Sequence, residues 1–361
     1  DVALAGGVNI IGGPHLQLAL ERAGMLSPNW RSRTFSSDAD GYVRGEGCAM
    51  VVLKPLATAE RDGDRILAVI RGSAVNQDGR SNGLTAPNPQ AQQSVIRDAL
   101  KASGLEASDI DFVETHGTGT RLGDPIEVGA LQSVLDPARS SERSCLLGSA
   151  KANIGHLEAA AGIAGLVKAV LCLRHGEVPA QPNLEEINPL IKLEGSALDI
   201  PRASTRLPNS ARAAVSSFGF GGTNAHVVLE EAPHRHTAPD QRPFQLLPVS
   251  ARSEAALTGR SQALAAWLGE HPEESLSDTA FTLQCGRRAF RHRAAIVAGN
   301  VSEARDALLS VSAIYASPEG PPPVIFLCSG QGSQYPGMAR ALYEREPVFR
   351  AALDDCAVCL Q

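Results

Sequence analysis

From Asp1 to about Ala232 the chain repeats one pattern: a short apolar run rich in β-branched residues, followed by a longer segment of helical period. Short buried strands that return through helices build an α/β layered domain, because each parallel return needs a crossover. The runs predict strands over 2–10, 49–54, 66–74, 112–114, 145–149, 213–217 and 225–230, with helices over 94–103, 125–134 and 158–174. Asp124 before Pro125 reads as an N-cap followed by a proline preset for the first turn. The Ala/Gly-rich segment after Glu158 predicts a helix packed closely against another element.

Beyond Ala232 the composition turns to Pro, His, Arg and Asp as far as about Gln245, which reads as a linker. A small α/β subdomain follows, with strands over 246–251 and 294–298 and helices over 254–268, 276–285 and 302–309. A proline-rich spacer over 318–323 leads to a predicted strand over 324–328, a glycine-rich turn at Gly330-Gln331-Gly-Ser333-Gln334, and helical patterns over 338–344 and 348–361. The expected organisation is therefore 1–232, 233–323 and 324–361. Both ends read as cuts through folded elements, and the first ten residues carry neither the basic region nor the cleavage site of a signal peptide.

Composition narrows the function classes. At 43% hydrophobic and 20% charged residues, the chain is neither disordered nor a disulfide-stapled miniprotein. With 33 Lys+Arg against 39 Asp+Glu, the net charge of -6 supplies no general attraction to nucleic acid or an anionic membrane. Its apolar stretches fall short of the roughly 20 residues that span a bilayer. The seven cysteines read as scattered reduced thiols, which places the chain in the cytoplasm.

Four segments carry candidate chemistry. In Val113-Glu-Thr-His116-Gly-Thr118-Gly-Thr120 a strand runs into alternating Gly and Thr, placing His116 at the strand end, where acid/base work and a backbone-tied turn are both open readings. In Lys151-Ala-Asn-Ile-Gly155-His156-Leu-Glu158 a second imidazole stands at a helix start, and Lys151, if buried, requires a partner such as Glu158. Phe218-Gly-Phe220-Gly221-Gly222-Thr-Asn224-Ala-His226 reads as a lid whose amides serve as an oxyanion donor, or as a plain hairpin in which Asn224 and His226 fix the turn. Gln331 lies in a strand-to-helix turn whose exposed amides fit an oxyanion cradle.

Other matches fail. Gly79-Arg-Ser81-Asn-Gly83 has the letters of a nucleophile elbow, but Pro87 and Pro89 forbid the helix that must follow. None of the five lysines follows a glycine, so there is no Walker A loop, and the nine histidines form no HExxH zinc helix. The basic run 287–293 reads as the solvated edge of a strand.

Taken in order, His116-Gly-Thr-Gly-Thr120, Lys151-Ala-Asn-Ile-Gly-His156 and Gly219-Phe-Gly-Gly-Thr-Asn-Ala-His226 resemble the ketosynthase domain of type I modular polyketide synthases. Gly41-Tyr-Val-Arg-Gly-Glu-Gly47 and the segment Asn76 to Pro87 fit the same domain, so the resemblance spans about 230 residues. It implies part of a thiolase-like layered fold, followed by a small α/β ketosynthase-acyltransferase linker subdomain and the start of an α/β acyltransferase domain. It also implies a homodimer that catalyses decarboxylative Claisen condensation of an acyl thioester with a malonyl-type unit. The region itself binds no cofactor or metal; substrates arrive on the phosphopantetheine arm of an acyl carrier protein. By the same resemblance, His116 and His156 assist decarboxylation and stabilise the enolate oxygen, with Lys151 orienting the pocket and Glu158 supporting it. Phe220 supplies an oxyanion amide and a gate; Thr118, Thr120, Phe218, Gly221 and Gly222 contact the arm; Asn224 supports the turn; Gln331 serves the acyltransferase oxyanion.

The family's nucleophilic cysteine is expected ahead of the strand Ala3–Asn9, and its acyltransferase serine beyond Gln361, so the chain alone is expected to be inactive. Ala152 stands where the family usually has Thr. A fatty acid synthase condensing region and a non-catalytic ketosynthase-like partner are the rival readings.

Overall fold

The computed structural model describes residues 1–80, 87–138, 144–233, 242–311, 315–316, 323–328 and 330–359. Ser81 of the failed elbow match, 234–241 of the linker and 318–322 of the spacer lie outside them. The chain divides into two units, Asp1–Arg235 and His236–Gln361.

In the first unit the strands are β1 (Ala3–Asn9), β2 (Gly47–Leu53), β3 (Ala68–Gln77), β4 (Phe112–Glu114), β5 (Cys145–Gly148), β6 (Glu177–Val178), β7 (Leu198–Asp199), β8 (Thr205–Arg206), β9 (Arg212–Phe218) and β10 (Thr223–Glu231). The helices are α1 (Pro14–Arg22), α2 (Leu56–Arg61), α3 (Pro89–Ser103), α4 (Gly123–Leu135), α5 (Lys151–Ile154) and α6 (Ala161–His175). Six strands form one mixed sheet in the order β3-β10-β9-β4-β5-β7. β10 pairs antiparallel with β3 and β9, whereas β9, β4, β5 and β7 run parallel.

Neighbouring strand residues point to opposite faces, and here both faces are covered. Val113, Leu147, Ala214 and Val228 pack with Val95 and Ile96 of α3 and Val128 and Leu131 of α4. Their sequence neighbours Phe112, Leu146, Ala213 and Leu229 pack with Ala169, Cys172 and Leu173 of α6. This explains the continuous apolar runs of the central strands. By contrast, the β1–β2 ribbon leaves Leu4, Val8, Met50 and Val52 exposed.

Boundaries differ where a local interaction outweighs the periodic pattern. α3 begins at Pro89 rather than at 94, because Asn88 caps the amides of Gln90 and Ala91 and Pro89 occupies the first turn. Asp124 is not the N-cap of α4; the helix starts at Gly123 after Leu122, and the Asp124 carboxylate accepts from the Phe35 and Gly119 amides instead. The helix expected over 158–174 is a 3-10 turn, Glu158–Ala160, before α6, because Glu158 has φ +43°. The strand expected over 49–54 begins earlier, at Gly47, and takes in Cys48, which is exposed.

The second unit contains an antiparallel sheet of β11 (Gln245–Ala251), β12 (His292–Ala298) and β13 (Tyr315–Ala316). Helices α7 (Glu254–Glu270), α8 (Leu276–Cys285) and α9 (Val301–Leu309) cover one face, burying Leu247, Val249, Leu257, Leu268, Ile296 and Leu308. The strand expected over 324–328 does not form. Val324 to Leu327 are 76–93% exposed without a ladder, and an apolar run alone cannot satisfy its backbone groups. The helix expected over 338–344 is α10 (Arg340–Arg345), delayed by Ala339 at φ +62°. α11 (Pro347–Cys359) follows, and its exposed Cys356 and Cys359, three residues apart, form a CxxC pair among otherwise scattered thiols.

Candidate active site

Three adjacent parallel strands end at one edge of the sheet. Glu114 of β4 sits in register with Gly148 of β5 and Val215 of β9, so the segments leaving these strands converge. Ligand sites of open α/β sheets form at such carboxyl ends. His116 follows β4, Lys151 and His156 follow β5, and Phe218 ends β9. The His116 and His156 rings lie edge to face with centroids 5.5 Å apart, and Phe218 packs 5.6 Å from His116. Tyr42 packs 5.0 Å from His156.

Each imidazole has one nitrogen engaged by backbone. The Phe218 amide donates to His116 Nδ1 (3.3 Å), and the Glu158 amide donates to His156 Nδ1 (2.9 Å). A ring nitrogen that accepts is unprotonated, so each neutral ring carries its proton on Nε2 and presents an N–H donor. Burial, the Lys151 charge and His156 hold His116 well below the usual imidazole range. Burial and Lys151 lower His156 to about 3. Both rings are therefore neutral at physiological pH.

The loop that carries His116 is held by two buried carboxylates of α4. Glu127 accepts from the amides of His116 (2.7 Å) and Gly117 (2.8 Å), and Asp124 accepts from Gly119 (3.1 Å) and Phe35 (2.8 Å). Burial pushes Glu127 up to about 7 and Asp124 up to about 6, against the amides and Lys151, which pull the other way. Thr34 and Ser149 hydroxyls both donate to the Gly117 carbonyl (2.8 and 2.9 Å). Gly119, at φ +75°, approaches the Arg33 backbone so closely that a Cβ would lie 2.9 Å from its nitrogen.

Lys151 is buried (7% exposed), and burial lowers its pKa while the charges of Glu114, Glu127 and Asp124 raise it. The expected Lys151–Glu158 pairing is not what forms. Glu158 is clasped by Arg44 in a two-pronged ion pair, Nε to Oε1 at 2.5 Å and Nη2 to Oε2 at 2.9 Å. With φ +43°, Glu158 turns its carboxylate toward Arg44, and the negative charges that raise the Lys151 pKa are those of Glu114, Glu127 and Asp124. Glu114 in turn pairs with Lys168 (2.7 Å) and accepts from the Ala150 amide (2.6 Å).

The remaining expected residues divide. Thr118 is buried and Thr120 partly buried, with their hydroxyls 3.2 Å apart in the His116 loop. Gly221 and Gly222 lie in the tight turn joining β9 and β10, where Gly222 has φ +84°. Phe220, in the same turn, is 53% exposed. Asn224 is buried and donates to Asn76 (3.1 Å) of β3 and Asp78 (2.7 Å) just beyond it, tying β10 to its other neighbour, while His226 Nδ1 lies 3.0 Å from Ser216 Oγ across the β9–β10 hairpin. Gln331 belongs to the second unit and is exposed in its turn. An open cavity of about 370 Å³, lined in part by Ser32, Val43, Lys151, Asn153 and Asn183, adjoins the Lys151 side. Among the described residues, no three His, Cys, Asp or Glu side chains group to hold a metal ion, and no helix is long and apolar enough to cross a membrane.

Sequence reasoning missed Arg44, Asp124 and Glu127 as parts of the site. The signal for the two acids was their i, i+3 spacing on an otherwise uncharged helix, where a buried carboxylate demands donors.

Comparison with known proteins gives the same picture. Successive family models match the chain: beta-ketoacyl synthase, N-terminal domain, over residues 1–59; beta-ketoacyl synthase, C-terminal domain, over 67–185; and ketoacyl-synthetase C-terminal extension over 188–297. The chain is 44% identical over 367 residues to a phenolphthiocerol/phthiocerol polyketide synthase protein of Mycobacterium tuberculosis (strain CDC 1551 / Oshkosh), covering 98% of this chain and 20% of that protein. It is 44% identical over 369 residues to erythronolide synthase EryA3 of Saccharopolyspora erythraea, covering 98% of this chain and 12% of that one. The solved ketosynthase from module 6 of the bacillaene synthase from Bacillus subtilis 168 superposes with TM-score 0.75 at 38% identity, over 85% of this chain and 55% of that one. The oxazolomycin ketosynthase domain from Streptomyces albus JA3453 gives 0.77, also at 38% identity and with the same coverage. The chain thus spans a fifth or less of these curated relatives and about half of the solved domains. The first unit has their thiolase-like fold, with its central mixed sheet. The chain belongs to the beta-ketoacyl synthase family, among the ketosynthases of modular polyketide synthases.

Proposed function

We propose that the protein containing this chain catalyses decarboxylative Claisen condensation at the His116–His156 edge. An acyl group rests on a cysteine supplied from outside these residues, and a malonyl-type unit on an acyl carrier protein loses carbon dioxide to form an enolate. Attack by the enolate carbon on the acyl carbonyl forms the carbon–carbon bond and releases the cysteine sulfur. The observation that carries this reading is the capping of both imidazoles at Nδ1 by backbone amides, which leaves two neutral Nε2–H donors beside one another. Neutral donors stabilise a developing oxyanion without first requiring a buried cation to be charged.

Lys151 balances the charge of the pocket, and Thr118 and Thr120 hold the phosphopantetheine arm with Phe218, Gly221 and Gly222. The Phe220 amide contributes an oxyanion donor and its exposed ring gates the entrance, with the turn braced by Asn224. The residues from 233 onward serve as a linker subdomain and then the opening of an acyltransferase domain in which Gln331 lines the oxyanion site. The working protein is a cytoplasmic homodimer whose partners are the acyl carrier protein and its acyl and malonyl-type thioesters.

The 361-residue chain alone does not turn over: in the first unit Cys145 and Cys172 are buried in the core and Cys48 lies exposed on β2, and none of the three is among the residues that form the two-imidazole edge. Incubation of the chain with an acyl thioester, read by intact-mass analysis, is expected to show no stable, stoichiometric acylation. Stoichiometric acylation of one of its own cysteines would overturn that statement.

A further inference from the structure

Glu158 combines three roles in one residue. Its amide donates to His156 Nδ1 (2.9 Å), its carboxylate is gripped on both oxygens by Arg44, and its backbone lies in the left-handed region at φ +43°. The Arg44 side chain is 5% exposed and that of Glu158 22%, so the ion pair is shielded from solvent. The Arg44 segment also holds His156 directly. The His156 amide donates to the Val43 carbonyl (2.7 Å), and the Gly45 amide donates to the His156 carbonyl (2.8 Å).

We propose that Arg44 and Glu158 are a positioning pair that holds His156 in its Nε2–H tautomer. The left-handed φ turns the chain from His156 into the following helix while the carboxylate reaches Arg44 and the amide stays on the ring. A non-glycine residue leaves that conformation unless its surroundings hold it. A bidentate guanidinium–carboxylate pair fixes both distance and plane, which a single point charge does not. When the pair is broken, Glu158 relaxes toward an ordinary φ, its amide leaves Nδ1, and the ring is free to carry its proton on either nitrogen. The catalytic consequence rests on the condensing role proposed above; the tautomer does not.

The test uses the full 361-residue chain labelled with ¹⁵N-histidine, in which long-range ¹H–¹⁵N correlations separate protonated from unprotonated ring nitrogens. His226, with Nδ1 3.0 Å from Ser216 Oγ and no contact with the pair, reports whether the fold is intact. The wild-type chain is expected to show His156 with Nε2 protonated and Nδ1 bare. Arg44→Ala and Glu158→Ala are expected to move it toward an even mixture of tautomers, while the His226 signals stay in place. Glu158→Gln, which keeps an acceptor for Arg44, retains the wild-type pattern, and Arg44→Lys, which keeps the charge without the fork, falls between. A wild-type His156 protonated on Nδ1 overturns the proposal. So does an unchanged single tautomer in both alanine variants with His226 undisturbed. If the alanine variants lose the His226 signals, the Arg44→Lys result decides: an unshifted His156 refutes the pair. A tautomer that follows the pair, in a synthase that performs no condensation, refutes the functional reading and leaves the positioning pair standing.

Discussion

His116 and His156 reach one another only through the sheet: each leaves the carboxyl end of a different strand, and their rings meet at 81° with centroids 5.5 Å apart. Backbone amides occupy Nδ1 of both, and burial keeps both uncharged. The site therefore has two neutral donors whose geometry is set before any substrate arrives.

The pH dependence of stability follows from these buried groups. His156 is lowered to about 3 and His226 to about 4, so on acidification below about 6.5 the unfolded chain binds protons that the folded chain refuses, and stability falls. Glu127, at about 7, and Asp124, at about 6, act in the opposite sense. The folded chain holds their protons at pH values where the unfolded chain does not, so their contribution grows as pH falls. Glu127→Gln removes one opposing contribution. Urea midpoints measured at pH 7, 6 and 5 are expected to fall more steeply in Glu127→Gln than in the wild type; an equal or shallower fall would show that the folded chain does not hold a proton on Glu127 that the unfolded chain gives up.

Gly155 has φ +75° and ψ -178°, a region open essentially to glycine, and a Cβ there would lie 2.9 Å from the Val43 carbonyl oxygen. Gly155→Ala is expected to cost about 1–3 kcal/mol or more. Gly176, left-handed at φ +62° with open space around it, should accept Asn with little loss. Thermal unfolding of the two variants checks the contrast, and equal losses would mean that the Val43 contact does not constrain the turn.

Leu147 is fully buried between strands and helices, whereas Val52 of the two-stranded ribbon is 68% exposed. Leu147→Ala is expected to destabilise the first unit by roughly 2–5 kcal/mol. Val52→Ala should stay within about 0.5 kcal/mol. Denaturant titration separates the two, and a large loss at Val52 would mean that the ribbon is covered in solution.

Much of this arrangement was legible in the residues. Each of the three strand-end motifs left a purely structural reading open, and their order along the chain, read as a resemblance, joined them into one site, while the unbroken apolar runs marked β4, β5 and β9 as buried strands. What stayed hidden depends on directions that spacing does not encode. Glu158 was paired with Lys151 by proximity in sequence, but its left-handed backbone turns it to Arg44. Asp124 reads as a cap by its neighbours, yet its carboxylate serves the Phe35 and Gly119 amides from inside the helix. The run over 324–328 has strand composition but no partner strand among the described residues, and composition cannot supply a ladder.

Phe220 is exposed and Phe218 is packed on His116, so the two rings should separate by assay. Phe220→Ala is expected to leave stability within about 0.5 kcal/mol while slowing condensation in the complete synthase. Phe218→Ala should lower both, since it also strips packing from His116. Melting temperature and turnover measured on each variant decide, and an unaffected rate in Phe220→Ala would remove the gate.

The most direct measurement is the rate at which a complete ketosynthase domain containing this sequence releases carbon dioxide from a malonyl-type thioester on its acyl carrier protein. His116→Ala and His156→Ala are each predicted to slow that release by roughly 10²–10³ while acylation of the nucleophilic cysteine persists. Decarboxylation at the wild-type rate in either variant would contradict the two-imidazole account.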